Sequence, residues 1–253
     1  MLAPLAALLL ATPAPLVPAH ASEGKPGKAW ALSVRLAFDS EDKVASFHKL
    51  SAPLIDHVKA DEPTTKSFTV LTSDQDPLVV LVLERFDDKA SAYEKVHRKS
   101  PQFLDFRPEL SKLKPVINGS SYDETGIGFY ERNASEYERL ASGRNASTAA
   151  WCLAAGLFFE SEEQVEQVLK AAKPFAEYLY EQEPTTLGYL VMRSDQDPKK
   201  VMIFERFADR ETAYLSIHRT SEAYLTFQKE LEQMDHFIDE MEPFREEGTP
   251  PSR

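Results

Sequence analysis

The sequence is poor in the residues that disulfides, metal sites and nucleotide sites require. It has one cysteine, Cys152, among 253 residues, so no intrachain disulfide can form, and its place in an apolar run favours a small core residue over a nucleophile. Only nine glycines and six histidines are present, and neither a Gly-rich phosphate loop nor a metal-ligand spacing such as HExxH occurs. The sequence therefore predicts a protein with no metal and no organic cofactor.

The chain also has fewer basic than acidic residues. Lys and Arg number 29 against 41 Asp and Glu, which gives a net charge of −12. A nucleic-acid partner is not expected, because phosphate binding needs a basic face. No apolar run reaches the ~20 residues of a membrane-spanning helix, so no membrane span is expected either. Apolar residues make up 42% of the chain, which is enough for modest globular cores.

The N-terminal segment 1–22 differs in composition from the rest of the chain. Its LAALLLA run, followed by Ala19-His20-Ala21, resembles the apolar region and cleavage site of a signal peptide, although a basic start is missing. A disordered tail or a wrongly chosen start codon is the alternative. The three asparagines of the chain, Asn118, Asn133 and Asn145, all lie in N-x-S sequons. A secreted and a cytoplasmic location both stay open.

What the sequence does contain is an internal repeat. Trp30–Leu110 aligns with Trp151–Leu231 at a constant offset of about 121, with roughly two in five positions identical. The shared blocks are EPTT, SDQDP, ERF and AYxxxHRxS, in that order. The repeat predicts two small domains of one kind, at 28–132 and 150–246, joined by a polar linker at 133–149.

Within each repeat the periodicity predicts strand, helix, strand, strand, helix. Residues 30–38 are apolar at alternate positions, as in a strand, and the following stretch has a helical apolar stripe. Pro53 and Pro174 predict a kink or break at the same place in both first helices. Residues 126–130 indicate a short closing strand in the first repeat, and the tail of the second shows no comparable pattern. We therefore expect a βαββαβ unit that is complete in the first repeat and truncated in the second.

Two histidines are the candidate catalytic residues. His97 and His218 each follow a tyrosine by four positions, so each shares a helix face with Tyr93 or Tyr214. Imidazole is the side chain best suited to proton transfer near neutral pH. The alternative is a structural histidine that binds loop carbonyls where the helix ends. Apolar strands end at Glu84-Arg85 and at Glu205-Arg206, and an ion pair or an exposed strand end is the simpler interpretation of these residues.

The strand that opens each repeat supplies further candidates. Trp30 and Trp151 are expected to pack in the core. The alternative is that they line a pocket that binds an aromatic ligand. On the opposite face of that strand the first repeat carries Arg35 among small residues, whereas the second repeat has no charge there. If these faces line pockets, the two pockets differ.

The combination of E-P-x-T, D-x-D-P, E-R-F and A-Y-x-x-x-H-R-x-S resembles the antibiotic biosynthesis monooxygenase-like proteins, over nearly all of residues 30–244. The resemblance implies an α+β fold in which two ferredoxin-like βαββαβ repeats form, within one chain, the dimeric α+β barrel of that superfamily. It also implies that His97 and His218 take the place of the family's functional histidine, and that Phe86 and Phe207 take that of a pocket aromatic.

Family members include cofactor-independent monooxygenases of phenols, quinols and anthrones. The resemblance thus implies a small aromatic substrate and dioxygen as partners, with His97 or His218 as the base and Arg35, Arg85 or Arg206 beside the anion. The candidate substrate-binding residues are Trp30, Arg35, Phe86, Tyr93, Trp151, Phe207 and Tyr214. A non-catalytic binding or stress-responsive barrel, or a cofactor-free isomerase or decarboxylase, is the alternative. The chain is expected to be a pseudo-dimer, and further self-association stays open.

Overall fold

The chain divides into two compact units. The computed structural model describes residues 28–132 and 150–246, so the signal-like segment 1–22, the linker 133–149 and the sequons at Asn133 and Asn145 lie outside the described residues. The first unit contains the described residues up to Leu71 together with Asp76–Ser121. The second contains Thr72–Gln75 and the described residues from Tyr122 onwards.

The first repeat forms a four-stranded sheet with helices on one face. Its helices and strands are β1 Trp30–Ala37, α1 Glu41–Asp61, β2 Thr65–Ser73, β3 Val79–Phe86, α2 Pro101–Leu113 and β4 Val116–Phe129. A π-helix, Lys89–Val96, and a 3-10 turn, His97–Lys99, connect β3 to α2. Hydrogen-bonded strands follow the order β4-β1-β3-β2, the order of a ferredoxin-like βαββαβ unit.

The second repeat has the same elements in the same order. They are β5 Trp151–Phe159, α3 Glu162–Gln182, β6 Thr186–Ser194, β7 Lys200–Phe207, a π-helix Arg210–Ile217, a 3-10 turn His218–Thr220, α4 Glu222–Glu232 and β8 His236–Glu246. The strand order β8-β5-β7-β6 matches that of the first repeat. The prediction of two α+β ferredoxin-like repeats in tandem is confirmed.

The expectation of a truncated second repeat is wrong. Strand β8 pairs antiparallel with β5 from Phe159↔His236 to Trp151↔Arg245, with one register shift. Its charged side chains and Pro243 hide the alternation by which a strand is recognised in sequence. Backbone pairing with β5 satisfies its polar groups all the same, and backbone pairing does not depend on side-chain hydropathy.

The closing strand of the first repeat is longer than expected. β4 has 14 residues, and its Tyr122–Phe129 part belongs to the second unit, where it pairs with β6. A register shift interrupts this pairing between Glu124 and Ile127. Gly128 has φ +98°, and a Cβ atom there would lie 1.9 Å from the carbonyl oxygen of Tyr189, so only glycine fits.

The core of each repeat lies between its sheet and its helices. In β1 the alternate residues Trp30, Leu32, Val34 and Leu36 are buried there, as the strand period predicts. Both first helices run on through their prolines: α1 is continuous across Pro53 and α3 across Pro174. No helix of the described ranges is both long and apolar enough to cross a membrane.

Candidate functional site

A short π-helix places a histidine in the core of each repeat. In the first repeat Asp88 caps this helix by accepting a hydrogen bond from the Ser91 N–H at 2.6 Å. The chain then tightens into a 3-10 turn at His97 and restarts as α2 at Ser100. The Ser100 hydroxyl donates to the His97 carbonyl at 3.0 Å and accepts from the Phe103 N–H at 3.3 Å. π-Helical segments are frequent at functional sites, and here the change of pitch turns the histidine inwards.

The second repeat reproduces this arrangement around His218. Asp209 caps the π-helix by accepting from the Thr212 N–H at 2.5 Å. Ser221 Oγ donates to the His218 carbonyl at 2.9 Å and accepts from the Tyr224 N–H at 3.1 Å. The H-R-x-S block of the sequence is therefore a turn in which the serine begins the next helix and holds the histidine backbone.

Each histidine is bound to a buried glutamate from the end of the first helix. His97 Nδ1 lies 2.9 Å from Glu62 Oε2, and the Thr65 hydroxyl donates to the same oxygen at 2.8 Å. The His97 side chain is 0% exposed and that of Glu62 1%. Since an ionised carboxylate only accepts hydrogen bonds, Nδ1 carries the proton and donates it. His218 makes the same 2.9 Å contact with Glu183 Oε2, which accepts from Thr186 Oγ1 at 3.0 Å.

A second buried glutamate faces the other nitrogen of each ring. Glu84 on β3 places Oε2 3.5 Å from His97 Nε2, and Glu205 on β7 places Oε1 3.6 Å from His218 Nε2. Among the described residues, no hydrogen bond reaches His97 Nε2, Glu84 Oε2 or His218 Nε2. Buried polar atoms are seldom left without a partner, and where they are, they mark catalytic sites, strain or bound water. We call Glu62, Glu84 and His97 the first acid–base cluster, and Glu183, Glu205 and His218 the second.

The electrostatics of the first cluster favour a proton shared near neutral pH. Burial raises the pKa of Glu84 to about 7, against the opposing charge of His97. Burial would lower the pKa of His97, but the hydrogen bond to Glu62 and the charges of Glu84 and Glu62 outweigh it and raise that pKa above its ordinary value. Burial opposes the ionisation of Glu62, yet the hydrogen bond and charge of His97 hold its pKa below the usual range. In the second cluster burial raises the pKa of Glu205.

Aromatic side chains enclose both clusters. Tyr93 stacks on His97 at a centroid distance of 6.2 Å, Phe86 lies at 5.3 Å from it, and Trp30 packs on Tyr93 at 4.7 Å. Phe103 completes the wall at 4.8 Å from His97.

Around His218 the matching distances are 6.0 Å to Tyr214, 4.9 Å to Phe207 and 4.6 Å from Trp151 to Tyr214. Burial, helped by the Glu205 charge, raises the pKa of Tyr214 to about 12, so this phenol stays neutral. Trp151 also donates its indole N–H to Asp74 at 3.0 Å.

The structure thus brings together most of the candidates named from the sequence, and leaves the three arginines apart. Arg85 and Arg206 follow Glu84 and Glu205 along their strands, so they lie on the face opposite the histidines. Trp30, Phe86 and Tyr93 gather around His97 on the helix-facing side of the sheet. Arg35 lies on β1 opposite Leu81, half-buried on the face turned away from the helices, and does not join them.

Sequence reasoning missed the four glutamates that bind the histidines. Glu84 and Glu205 are buried within ion-pair distance of the histidines, so of the two simpler interpretations the ion pair fits and the exposed strand end is wrong. Glu62 and Glu183 belong to the EPTT block, whose presence in both repeats is the signal that could have marked them. The imidazoles contact these carboxylates, whereas the structural alternative had them bind loop carbonyls.

Arg132 orders the end of α3 next to Glu183. Its guanidinium donates to the Glu183 carbonyl at 2.8 Å and to the Thr186 carbonyl at 2.9 Å. It also donates at 2.6 Å to each of the carbonyls of Leu179 and Tyr180. Three of these carbonyls belong to the last turn and the C-cap of α3, and that of Thr186 begins β6, so one buried arginine fixes the backbone from which Glu183 reaches His218.

The opposite face of the second sheet holds a separate ion pair. Arg206 binds Glu246 through Nε at 2.6 Å and Nη2 at 3.0 Å, and donates from Nη1 to the Tyr130 carbonyl at 3.0 Å. Cys152 Sγ lies 3.9 Å from Glu246 Oε1, and burial raises the pKa of this thiol well above its usual value. A neutral thiol is a poor nucleophile. Within the described ranges no group of three or more His, Cys, Asp or Glu side chains is arranged to hold a metal ion.

The fold and the paired clusters define a tandem ferredoxin-like protein with one buried histidine site per repeat. The model of the antibiotic biosynthesis monooxygenase family matches the chain twice, over residues 39–109 and 157–230, which together exceed half its length. The chain belongs to this family. No curated protein matches it in sequence.

Solved structures share the tandem fold. A chain from Lactobacillus acidophilus NCFM, described as a putative monooxygenase, superposes with a TM-score of 0.67 at 13% identity and covers 87% of this chain and 93% of its own. A second protein so described, from Fusobacterium nucleatum, gives 0.66 at 16% identity, covering 87% and 92%. An anthrone oxidase-like protein gives 0.54 at 13% identity, covering 87% and 91%. At such identities the likeness is one of fold alone.

Proposed function

We propose that this protein is a cofactor-independent monooxygenase of a phenolic, quinol or polyketide-type aromatic, with dioxygen as co-substrate. The observation that carries the proposal is the oriented histidine of each repeat. Nδ1 is held by one buried carboxylate, while Nε2 has no hydrogen-bond partner among the described residues. This is the arrangement of a general base that a carboxylate keeps in one tautomer and orientation.

In the proposed step, Nε2 of His97 or His218 takes the hydroxyl proton of the bound aromatic. The O–H bond breaks, an N–H bond forms, and the electron pair stays on the aromatic as its anion. The imidazolium is stabilised by Glu62 or Glu183 through the 2.9 Å contact. The anion then reduces dioxygen, which supplies the oxygen atom of the product and takes up the remaining electrons and protons as water.

The aromatic enclosure supports this class of substrate. Trp30, Phe86 and Tyr93, and likewise Trp151, Phe207 and Tyr214, surround the histidines with ring faces and edges that suit a planar partner. His97 and His218 are 0% exposed, so a substrate hydroxyl reaches Nε2 only when these rings move.

We further propose that the two repeats build one intramolecular barrel of the dimeric α+β type. Support comes from the second unit, whose β8 has Asp74 as a neighbour and whose β6 pairs with Tyr122–Phe129. Both edges of that sheet are thereby covered by segments from the first repeat of the sequence.

A non-catalytic aromatic-binding barrel is the second candidate. The complete burial of both histidines favours it, because a structural His–Glu pair would be enclosed in the same way. Under this alternative, loss of the histidine destabilises the fold and leaves no chemistry to lose.

The test is oxygen uptake by metal-free protein with hydroquinones, naphthols and anthrones. His97→Gln, His218→Gln and the double variant are compared with His236→Gln, whose side chain contacts the Met234 carbonyl and the Phe159 ring and lies outside both clusters. We expect uptake above the spontaneous rate, a ¹⁸O label from dioxygen in the product, and a loss of roughly a hundredfold or more in the folded double variant. Equal uptake by the folded double variant would exclude the histidines as bases. Tight binding of the aromatics without uptake would favour the second candidate.

A further inference from the structure

The two acid–base clusters differ in their connection to solvent. In the first, Glu62 Oε1 lies 3.5 Å from His57 Nε2, whose Nδ1 lies 3.0 Å from Asp61 Oδ2. The exposed fraction of the side chain rises along this series, from 1% at Glu62 to 15% at His57 and 66% at Asp61. His57, Asp61 and Glu62 all lie in the last turns of α1 or directly after it, so one helix end carries the whole series.

The second cluster has no such series. At the offset of the repeat, Tyr178 and Gln182 stand where the first repeat has His57 and Asp61. Neither Glu183 Oε1 nor Glu62 Oε1 has a hydrogen-bond partner among the described residues, so the clusters differ in the His57 imidazole that lies 3.5 Å from Glu62 Oε1. A tyrosine hydroxyl gives up its proton only near pH 10, and an amide does not titrate, so neither replaces an imidazole as a proton carrier at neutral pH.

We propose that His57, with Asp61, is a proton relay that connects the buried first cluster to solvent, and that the second cluster lacks this route. For catalysis this rests on the proposed function: the relay lets His97 give up and regain its Nδ1 proton within each turnover, so the first repeat is the one that turns over repeatedly. The relay itself is a property of the folded chain and does not depend on any substrate.

The proton passes in three steps. First, the Nδ1–H bond of protonated His97 breaks and an O–H bond forms on Glu62 Oε2, 2.9 Å away. A half-turn of the carboxyl group then presents this proton towards His57, whose Nε2 is 3.5 Å from Oε1. Finally the O–H bond breaks, an N–H bond forms on His57, and the imidazolium, held by Asp61 at 3.0 Å, gives a proton to water. His97 then holds its remaining proton on Nε2, gives that proton to the reduced oxygen, and regains a proton on Nδ1 by the same steps in reverse.

The test follows the ring N–H protons by NMR in ¹⁵N-histidine-labelled full-length protein. Their exchange with water is measured for His97 and His218 in the wild type, in His57→Tyr and in Tyr178→His/Gln182→Asp. The matched control is His48→Tyr, the same change nine positions earlier on α1. Backbone spectra establish that each variant is folded.

We expect His97 to exchange faster than His218 in the wild type by roughly a hundredfold, the low end of what a positioned acid or base contributes. His57→Tyr should lower the exchange rate of the His97 ring proton to that of His218, and added imidazole should restore part of the lost rate. The Tyr178→His/Gln182→Asp variant should raise the exchange rate of the His218 ring proton, and His48→Tyr should leave the exchange rates of both histidines unchanged. A purely structural His57 would not respond to imidazole.

Equal rates for the two histidines in the wild type, or no change on His57→Tyr in a folded protein, would overturn the relay. This outcome is distinct from failure of the proposed function, because the exchange is read without substrate. Where oxygen uptake is observed, His57→Tyr should lower kcat more than KM, with rescue by imidazole. Uptake that is lost in His218→Gln and kept in His97→Gln would instead assign turnover to the second repeat.

Discussion

Replacing Glu84 by glutamine should change how stability depends on pH. Glu84 lies in the first cluster, and no hydrogen bond reaches its Oε2 among the described residues, so burial dominates its ionisation. Glutamine has nearly the same size as glutamate, but its amide does not ionise. The comparison therefore reports the free energy of ionising this buried carboxyl beside His97, whose pKa its charge helps to raise.

The magnitude follows from the change in pKa between the unfolded and the folded chain. The pKa of Glu84 rises from 4.5 to about 7 on folding. The folded state therefore binds this proton more tightly than the unfolded state, and a tenfold difference in proton affinity corresponds to about 1.4 kcal/mol. The stabilisation that this proton provides is complete below about pH 4.5 and is lost as the pH rises to about 7. Relative to the wild type, Glu84→Gln should gain about 3 kcal/mol across this window and nothing further above it.

The two tryptophans allow this to be measured in one repeat at a time. Trp30 packs on Tyr93 and Phe86 in the first repeat, so in a Trp151→Phe background its fluorescence reports the first repeat alone. Urea unfolding of this background, with and without Glu84→Gln, is followed from pH 4 to pH 9. The new amide also changes the free energy of unfolding by an amount that does not depend on pH. This amount does not affect the result, because only the change with pH is interpreted.

Glu205→Gln in a Trp30→Phe background is the matched comparison. Burial raises the pKa of Glu205 as well, so the same direction is expected in the second repeat. A difference between Glu84→Gln and the wild type that stays constant from pH 4 to pH 9 would refute the reasoning. It would mean that Glu84 titrates in the folded protein as it does in the unfolded chain.

Three further substitutions test the contacts around the clusters. Glu62→Gln should lower the free energy of unfolding by about 3–5 kcal/mol at neutral pH, because it removes one partner of a fully buried pair; urea unfolding measures this, and a loss below about 1 kcal/mol would contradict it. Arg132→Gln should cost about 3 kcal/mol or more, seen as faster amide exchange at the end of α3, since four carbonyls lose a charged donor; unchanged exchange would speak against this role. Gly188→Ala should destabilise the second repeat, since its Cβ would lie 2.4 Å from the Tyr130 carbonyl oxygen; a thermal midpoint equal to that of the wild type would show that the backbone after β4 can shift.

Local sequence patterns predicted most of the fold. The repeat, the alternation from Trp30 to Phe38 and the helical stripes depend on neighbours within a few residues, and both repeats follow them. Ser100 and Ser221 begin helices where their sequence position predicts it, because an N-cap needs only its own side chain and the next turn. Strand β8 was missed because charged residues and a proline interrupt its apolar positions, and only its pairing with β5 defines it.

The sequence indicated the histidines of the site and not their partners. His97 and Tyr93 share a helix face by their spacing, and both histidines were singled out on that ground. Glu62 is 35 positions from His97 and could not be assigned to it, because no local pattern records which distant side chains meet in a core.

The sequence by itself therefore determined the tandem repeat, the family, and the kinds of residue present twice. Tertiary structure alone decided that the histidines are enclosed, which glutamates lie beside each ring nitrogen, and that Arg35 stays apart from them. The physical reason is that periodicity encodes which face of an element is buried. The contacts of a buried ionisable group, and hence its pKa, depend on how separate elements pack against one another.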